Sequence, residues 1–186
     1  MKRIFDLALA VLLVLLLLLP LALLAVAVGF TSPGPILYWS DRVGRDNTLF
    51  KMPKFRSMDS RTPAVASHLL INPEVYLTPI GSFLRKSSLD ELPQLWNIFK
   101  GEMSFVGPRP ALFNQYDLIE LRTHYGIHTL LPGLTGWAQI NGRDELPIPQ
   151  KVALDREYLK KRSLLFDVKI IILTVLKVIK RDNVAH

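Results

Sequence analysis

The chain has 186 residues, enough for one domain with a core of its own plus accessory elements. Its 23 Lys and Arg outnumber 16 Asp and Glu, and the net charge of +7 suits an anionic partner: phospholipid, a phosphorylated substrate or nucleic acid. The absence of cysteine excludes disulfides, thiolate catalysis and cysteine-type zinc sites.

Apolar residues crowd into the N-terminus. Lys2 and Arg3 precede Leu7–Phe30, 24 residues without a charge. At about 1.5 Å per residue such a helix crosses a hydrocarbon core of about 30 Å. Three arrangements compete. A cleaved signal peptide has a basic start and a small-residue site at Ala25-Val26-Ala27, but Asp6 and the long apolar core fit it badly. A straight span leaves Lys2 and Arg3 at one end and Arg42, Arg45, Lys51, Lys54 and Arg56 beyond the other, so both ends call for the cytoplasmic side. A bend at Pro20 resolves the conflict. Its ring clashes with the Leu16 carbonyl and removes one N–H, so the chain turns back to the face it entered. The favoured expectation is therefore a re-entrant helix–break–helix over residues 1–32.

Thr31-Ser32-Pro33-Gly34-Pro35 is a breaker cluster marking the membrane exit. Ile36–Val43 and Leu49–Arg56 are predicted to pair as a hairpin around Gly44–Asn47, with Pro53 restricting the second strand to an edge or a short length. Residues 60–80 hold Pro63, Pro73 and Pro79 and are predicted as loop with short helical turns. A helix is expected over Pro110–Tyr125. His124, near its end, and His128 beyond it lie at i, i+4 but lack an HExxH frame, and they are read as structural. The segment from Gly133 to Leu146 is expected to be a loop, followed by a polar helix over Gln150–Arg162. Leu164–Lys180 is too interrupted by charge to span a bilayer and fits either a core helix or one lying in the membrane interface. The elements predict a mainly helical α+β protein: a membrane segment to residue 32, a catalytic domain over 33–163 and an amphipathic helix over 164–181.

The chemistry concentrates in Ser88–Pro110. Ser88 and Glu91 match an S-x-x-E capping box, although Pro93 sits better if Asp90 is the cap; either way Asp90 and Glu91 stand at a helix N-terminus, where the dipole favours ionised carboxylates and N–H groups receive phosphate. Alone, this is an ordinary helix cap. An aspartate is also a nucleophile toward phosphorus or a magnesium ligand. The company of Arg85, Lys54, Arg56, Arg143 and an Arg109 locked between Pro108 and Pro110 favours that second role, since guanidinium forks match phosphate. The competing reading of each cation is a solvated or lipid-facing charge.

The quoted segments resemble one family along nearly the whole chain. KRIFDLALA, YWSDRVGRDNTLFKMPKFRSMDS, LRKSSLDELPQLWNIFKGEMSFVGPRPAL and LLPGLTGWAQINGRDEL are similar to the small monotopic phosphoglycosyl transferases, the bacterial sugar transferases that start glycan assembly on a polyprenyl carrier. The resemblance implies that Asp90 is the nucleophile and a magnesium ligand, with Glu91 assisting. It implies that Lys54, Arg56, Arg85, Arg109, Arg143, Gln139 and Asn141 bind the phosphates or nucleotide. It further implies transfer of sugar-1-phosphate from a UDP-sugar, with a lean toward an N-acetylated amino sugar, to undecaprenyl phosphate through an aspartyl phosphosugar, with UMP released. The expected cofactor is Mg2+. The expected place is the cytoplasmic face of a bacterial plasma membrane, with the bilayer rather than nucleic acid as partner. Where family members often have serine before the bend proline, this chain has Leu19. The alternatives are a membrane phosphatase that resolves an aspartyl phosphate with water, and a non-enzymatic basic membrane-surface module.

Overall fold

A computed structural model describes residues 1–59, 62, 72–142 and 146–180. The hairpin forms as expected: β1 (Leu37–Val43) and β2 (Leu49–Phe55) pair antiparallel, with Leu37 opposite Phe55 and Val43 opposite Leu49. The turn between them puts Asp46 and Asn47 at φ of 54° and 58°, a left-handed conformation that Asp and Asn accept more readily than other side chains. Phe50, Met52 and Phe55 are buried. Pro53, which lacks an N–H, sits on β2, an outer strand of its three-stranded sheet.

The third strand of that sheet corrects one expectation. Ala111–Leu112 form β4, antiparallel to Arg42 and Val43, so the helix expected from Pro110 starts later, as α4 (Tyr116–His124). Strand pairing overrides local helical preference there. A second correction falls at Gly133–Thr135, expected as loop. These residues form β5, parallel to β3 (Ser104–Val106), and are followed by one helical turn, α5 (Trp137–Ile140). The pairing is possible because the glycines leave no side chain between two backbones. A Cβ on Gly133 would stand 2.1 Å from the Gly107 nitrogen, and one on Gly136 would stand 2.1 Å from the Gly107 oxygen. The polar helix is α6 (Ile148–Lys161), and α7 spans Leu164–Lys180.

The N-terminal helix α1 (Lys2–Thr31) is continuous through Pro20, without the predicted interruption. One missing N–H removes one bond of the ladder, and the flanking turns keep theirs. Both ends of α1 are fastened to the same body. Near its start, the Arg3 guanidinium donates to the carbonyls of Ile98 and Phe99, at the end of α3 (Leu95–Lys100). Lys2 reaches Asp167 at 2.5 Å and the Val106 carbonyl at 3.1 Å, and Asp6 accepts the Phe105 N–H. At the far end Val28 packs with Phe55 and with Leu84 of α2 (Gly81–Ser87), while Arg56 holds the Ser32 and Pro33 carbonyls. Between these anchorages Leu15, Leu16, Leu18 and Leu19 are exposed by 62–69%. The helix is long and apolar enough to anchor in a membrane.

The core lies between the sheets and the later helices, around Met52, Ile98, Met103, Phe105, Val106, Leu118, Val152 and Ile170. Helix α7 is partly buried and partly exposed. Asp167 and Ile170 are buried, whereas Leu165, Ile172, Val175 and Leu176 are exposed.

Candidate active site

Asp90 and Glu91 occupy the 3₁₀ turn Leu89–Gln94, which links α2 to α3. The predicted capping box does not form. Ser88 takes a left-handed conformation that closes α2, makes no side-chain cap bond, and leaves Glu91 to other partners. The left-handed kink turns the chain so that Pro93 falls within a 3₁₀ segment, and Asp90 points inward.

The two carboxylates differ sharply. Glu91 Oε1 accepts Lys54 Nζ at 2.7 Å and Arg109 Nη2 at 3.0 Å. Lys54 comes from β2, and Arg109 from the segment between β3 and β4, so the site is assembled from three parts of the chain. Burial works to raise Glu91, but Arg109 and Lys54 outweigh it and hold the carboxyl well below the usual carboxylate range. Asp90 is 6% exposed, and its Oδ1 meets no hydrogen-bond partner among the described residues. Burial pushes its carboxyl up to about 6, against the pull of Lys54 and with the added repulsion of Glu91, while Arg85 and Arg109 restrain the rise. The dipole argument from sequence anticipated the opposite direction. Here desolvation outweighs a turn too short to carry a large dipole.

Beside the acidic pair opens a cavity of about 230 Å³. Glu91 and Arg109 line it together with Thr135, Gln139, Leu13 of α1, and Ile171, Thr174 and Lys177 of α7. Its wall thus runs from the charged pair to the two most apolar helices. Gln139 donates to the Leu134 carbonyl and keeps a buried Oε1 without a partner among the described residues.

The other predicted residues are distributed as follows. Arg85 lies close enough to influence Asp90 and donates to the Met58 sulfur. Arg56 is buried and placed elsewhere: its guanidinium closes the exit of α1 onto Ser32 and Pro33, a structural placement that gives no support to phosphate binding. Asn141 is exposed, and its amide turns back to the Trp137 carbonyl. Arg143 lies outside the described residues. Sequence reading passed over Arg122 and Asp155, a buried pair behind Arg109. Each lies in a segment expected to be helical, and neither carries a motif that marks it out.

The fold is an α+β body carrying one helix long and apolar enough to anchor in a membrane, with an acidic pair set among cations. The chain belongs to the bacterial sugar transferase family, whose model matches residues 1–181. It is 42% identical over 186 residues to the UDP-glucose:undecaprenyl-phosphate glucose-1-phosphate transferase of Escherichia coli (strain K12), covering 95% of this chain and 40% of that protein. It is 37% identical to the uncharacterized sugar transferase EpsL of Bacillus subtilis (strain 168), covering 99% of this chain and 90% of that one. It is 33% identical to the UDP-N-acetylgalactosamine-undecaprenyl-phosphate N-acetylgalactosaminephosphotransferase of Aeromonas hydrophila, covering 94% of this chain and 43% of that one. The chain therefore spans about two fifths of the length of the first and third of these relatives.

Proposed function

We propose that this chain transfers a sugar-1-phosphate from a UDP-sugar to undecaprenyl phosphate through an aspartyl phosphosugar on Asp90. The observation that carries the reading is the asymmetry of the acidic pair. Glu91 is neutralised by two cations, whereas the buried Asp90 keeps an unpartnered oxygen beside them. A desolvated carboxylate is a stronger nucleophile than a solvated one, and Lys54 and Arg109 stand where charge builds on phosphorus.

In the first step an Asp90 oxygen attacks the sugar-bearing phosphorus. The bond from that phosphorus to the bridging oxygen breaks, and UMP departs with the electron pair. In the second step an oxygen of undecaprenyl phosphate attacks the same phosphorus. This frees the Asp90 carboxylate and forms the polyprenyl diphosphosugar. Arg109 and Lys54 hold negative charge on the transferred phosphoryl group in both steps. Ionised Glu91 keeps both cations in place. The cavity wall of Leu13, Ile171 and Thr174 gives the acceptor's apolar tail a route from the membrane.

The residues fit a magnesium ion. Asp90 offers an orphaned buried oxygen, and Mg2+ is commonly held by one or two carboxylates together with substrate phosphates. Bound at Asp90, it would neutralise diphosphate charge and ease departure of UMP.

Both ends of α1 are fastened to one body while its middle exposes apolar side chains, which supports an anchor that stays on one face of the membrane although the helix is unbroken at Pro20. Such an anchor puts residues 33–163 on the cytoplasmic face of a bacterial plasma membrane, with α7 at the interface. The deciding experiment is UMP release from UDP-glucose, UDP-galactose, UDP-N-acetylglucosamine and UDP-N-acetylgalactosamine, with Mg2+, with and without undecaprenyl phosphate. Release coupled to formation of a polyprenyl diphosphosugar supports the reading. Release as free sugar phosphate, equal in both conditions, points to a hydrolase.

A further inference from the structure

Pro108-Arg109-Pro110 has an unusual holding problem. Two of its three residues lack an N–H, so the backbone of Arg109 must be fixed mainly through carbonyls. Each of these carbonyls has a donor from a different part of the chain. The Pro108 oxygen accepts Gly133 N–H at 2.9 Å, the Arg109 oxygen accepts Arg122 Nη1 at 2.8 Å, and the Pro110 oxygen accepts Arg42 Nη1 at 3.2 Å.

Arg122 differs from the other two donors. It lies on α4, is only 8% exposed, and binds Oδ2 of Asp155 on α6 with Nε at 3.0 Å and Nη2 at 2.6 Å; Asp155 is 2% exposed. A buried ion pair is a poor way to join two helices, because desolvation cancels most of its attraction and an apolar pair serves as well. Helices α4 and α6 also have a second tie, since Arg156 lies over the Tyr125 ring at 4.8 Å. The feature an apolar pair would not reproduce is the third contact, which grips the Arg109 carbonyl.

We infer that Arg122 and Asp155 are positioning residues that act through Arg109. Asp155 orients the Arg122 fork, and the fork fixes the Arg109 backbone so that its side chain meets Glu91 and the transferred phosphate. The inference rests on the proposed role of Arg109 in the transfer reaction. The Arg122 side chain has five N–H donors in one plane, and the three contacts use its three nitrogens. Lysine, with a single nitrogen, preserves charge toward Asp155 but not that geometry.

The test uses the full chain in nanodiscs, with Arg122→Lys, Arg122→Met and Asp155→Asn, each also combined with Arg109→Ala. We expect Arg122→Lys to keep a melting temperature close to that of the parent while kcat for UMP release falls about 10–100-fold. In the Arg109→Ala background the same substitution should cost less than threefold, because its route of action is already gone. An equal loss in both backgrounds, or full kcat with lysine, would overturn the inference. Hydrogen–deuterium exchange gives a readout independent of turnover. Faster exchange confined to the peptide over 104–112 supports the inference, whereas unchanged exchange or a uniform increase across α4 and α6 opposes it. Should the parent protein release no UMP from any UDP-sugar, the reaction reading fails and exchange alone decides the positioning role.

Discussion

Lys54 Nζ lies 2.7 Å from Glu91 Oε1, and this contact joins an edge strand of the hairpin to the acidic pair. Lysine is also the largest attractive charge acting on Asp90. Lys54→Met therefore leaves Asp90 harder to ionise. We expect a 10–100-fold loss of kcat and an acid limb of the pH–rate profile displaced upward by about one unit. A profile of unchanged shape would show that Lys54 does not tune Asp90.

Asp90→Asn should abolish UMP release, with a loss of at least about 1000-fold. Its effect on stability has the opposite sign. A carboxyl whose folded pKa lies above its unfolded value contributes stability below the unfolded value, and that contribution is lost as pH rises through the folded one. Asp90 is raised from 3.8 to about 6, so its ionised form costs stability near neutrality. In metal-free protein, Asp90→Asn should be about 1–3 kcal/mol more stable above pH 6, with the difference fading toward pH 4. Thermal melts across that range give the answer, and a variant less stable at pH 7.5 would contradict it.

Arg56→Ala discriminates between the role expected from sequence and the placement observed. Loss of the contacts to Ser32 and Pro33 should lower the melting temperature by several degrees and leave KM for the UDP-sugar within twofold. A tenfold rise in KM at unchanged melting temperature would return Arg56 to the phosphate.

Gly133→Ala forces a methyl group into the Gly107 backbone. Neither partner is a flexible side chain, so the strand pair must separate. We expect a loss of about 2–4 kcal/mol, or failure to fold, together with loss of activity because β3 leads through Gly107 and Pro108 to Arg109. Retained stability would mean that β3 and β5 can part without cost.

The cysteine-free chain makes its topology easy to map. Single cysteines replacing Ile4 and Glu120, both exposed, should react with a membrane-impermeant maleimide from the same side, while one replacing Leu18 should be protected. Labelling of Ile4 and Glu120 positions from opposite sides would establish a spanning helix.

The hairpin, α6 and α7 were legible because each is encoded locally: alternation with an Asp-Asn turn, helical periodicity and proline boundaries. The short strands β4 and β5 were not. Ala111-Leu112 and Gly133-Leu134-Thr135 carry no strand pattern of their own, and they become strands because Val43 and Ser104 offer them edges. The candidate site divides along the same line. Asp90, Glu91 and Arg109 stood out by type and spacing, and Lys54 by its cluster. Arg122 and Asp155 gave no signal, since burial of a charge is not written in one residue.

The sequence by itself determined that the chain has a long apolar N-terminal helix, a basic balance without cysteine, and a segment from Ser88 to Pro110 whose residues suit phosphate chemistry. These are properties of composition and short-range order, which survive without knowledge of the fold. Only the tertiary structure decided which acid is pinned and which is poised. Asp90 and Glu91 are neighbours of the same chemical kind. Their difference comes from Lys54, 37 positions away, and Arg109, 18 positions away, both of which converge on Glu91, while burial desolvates Asp90. Burial and charge act through space, and that is where the two carboxylates part.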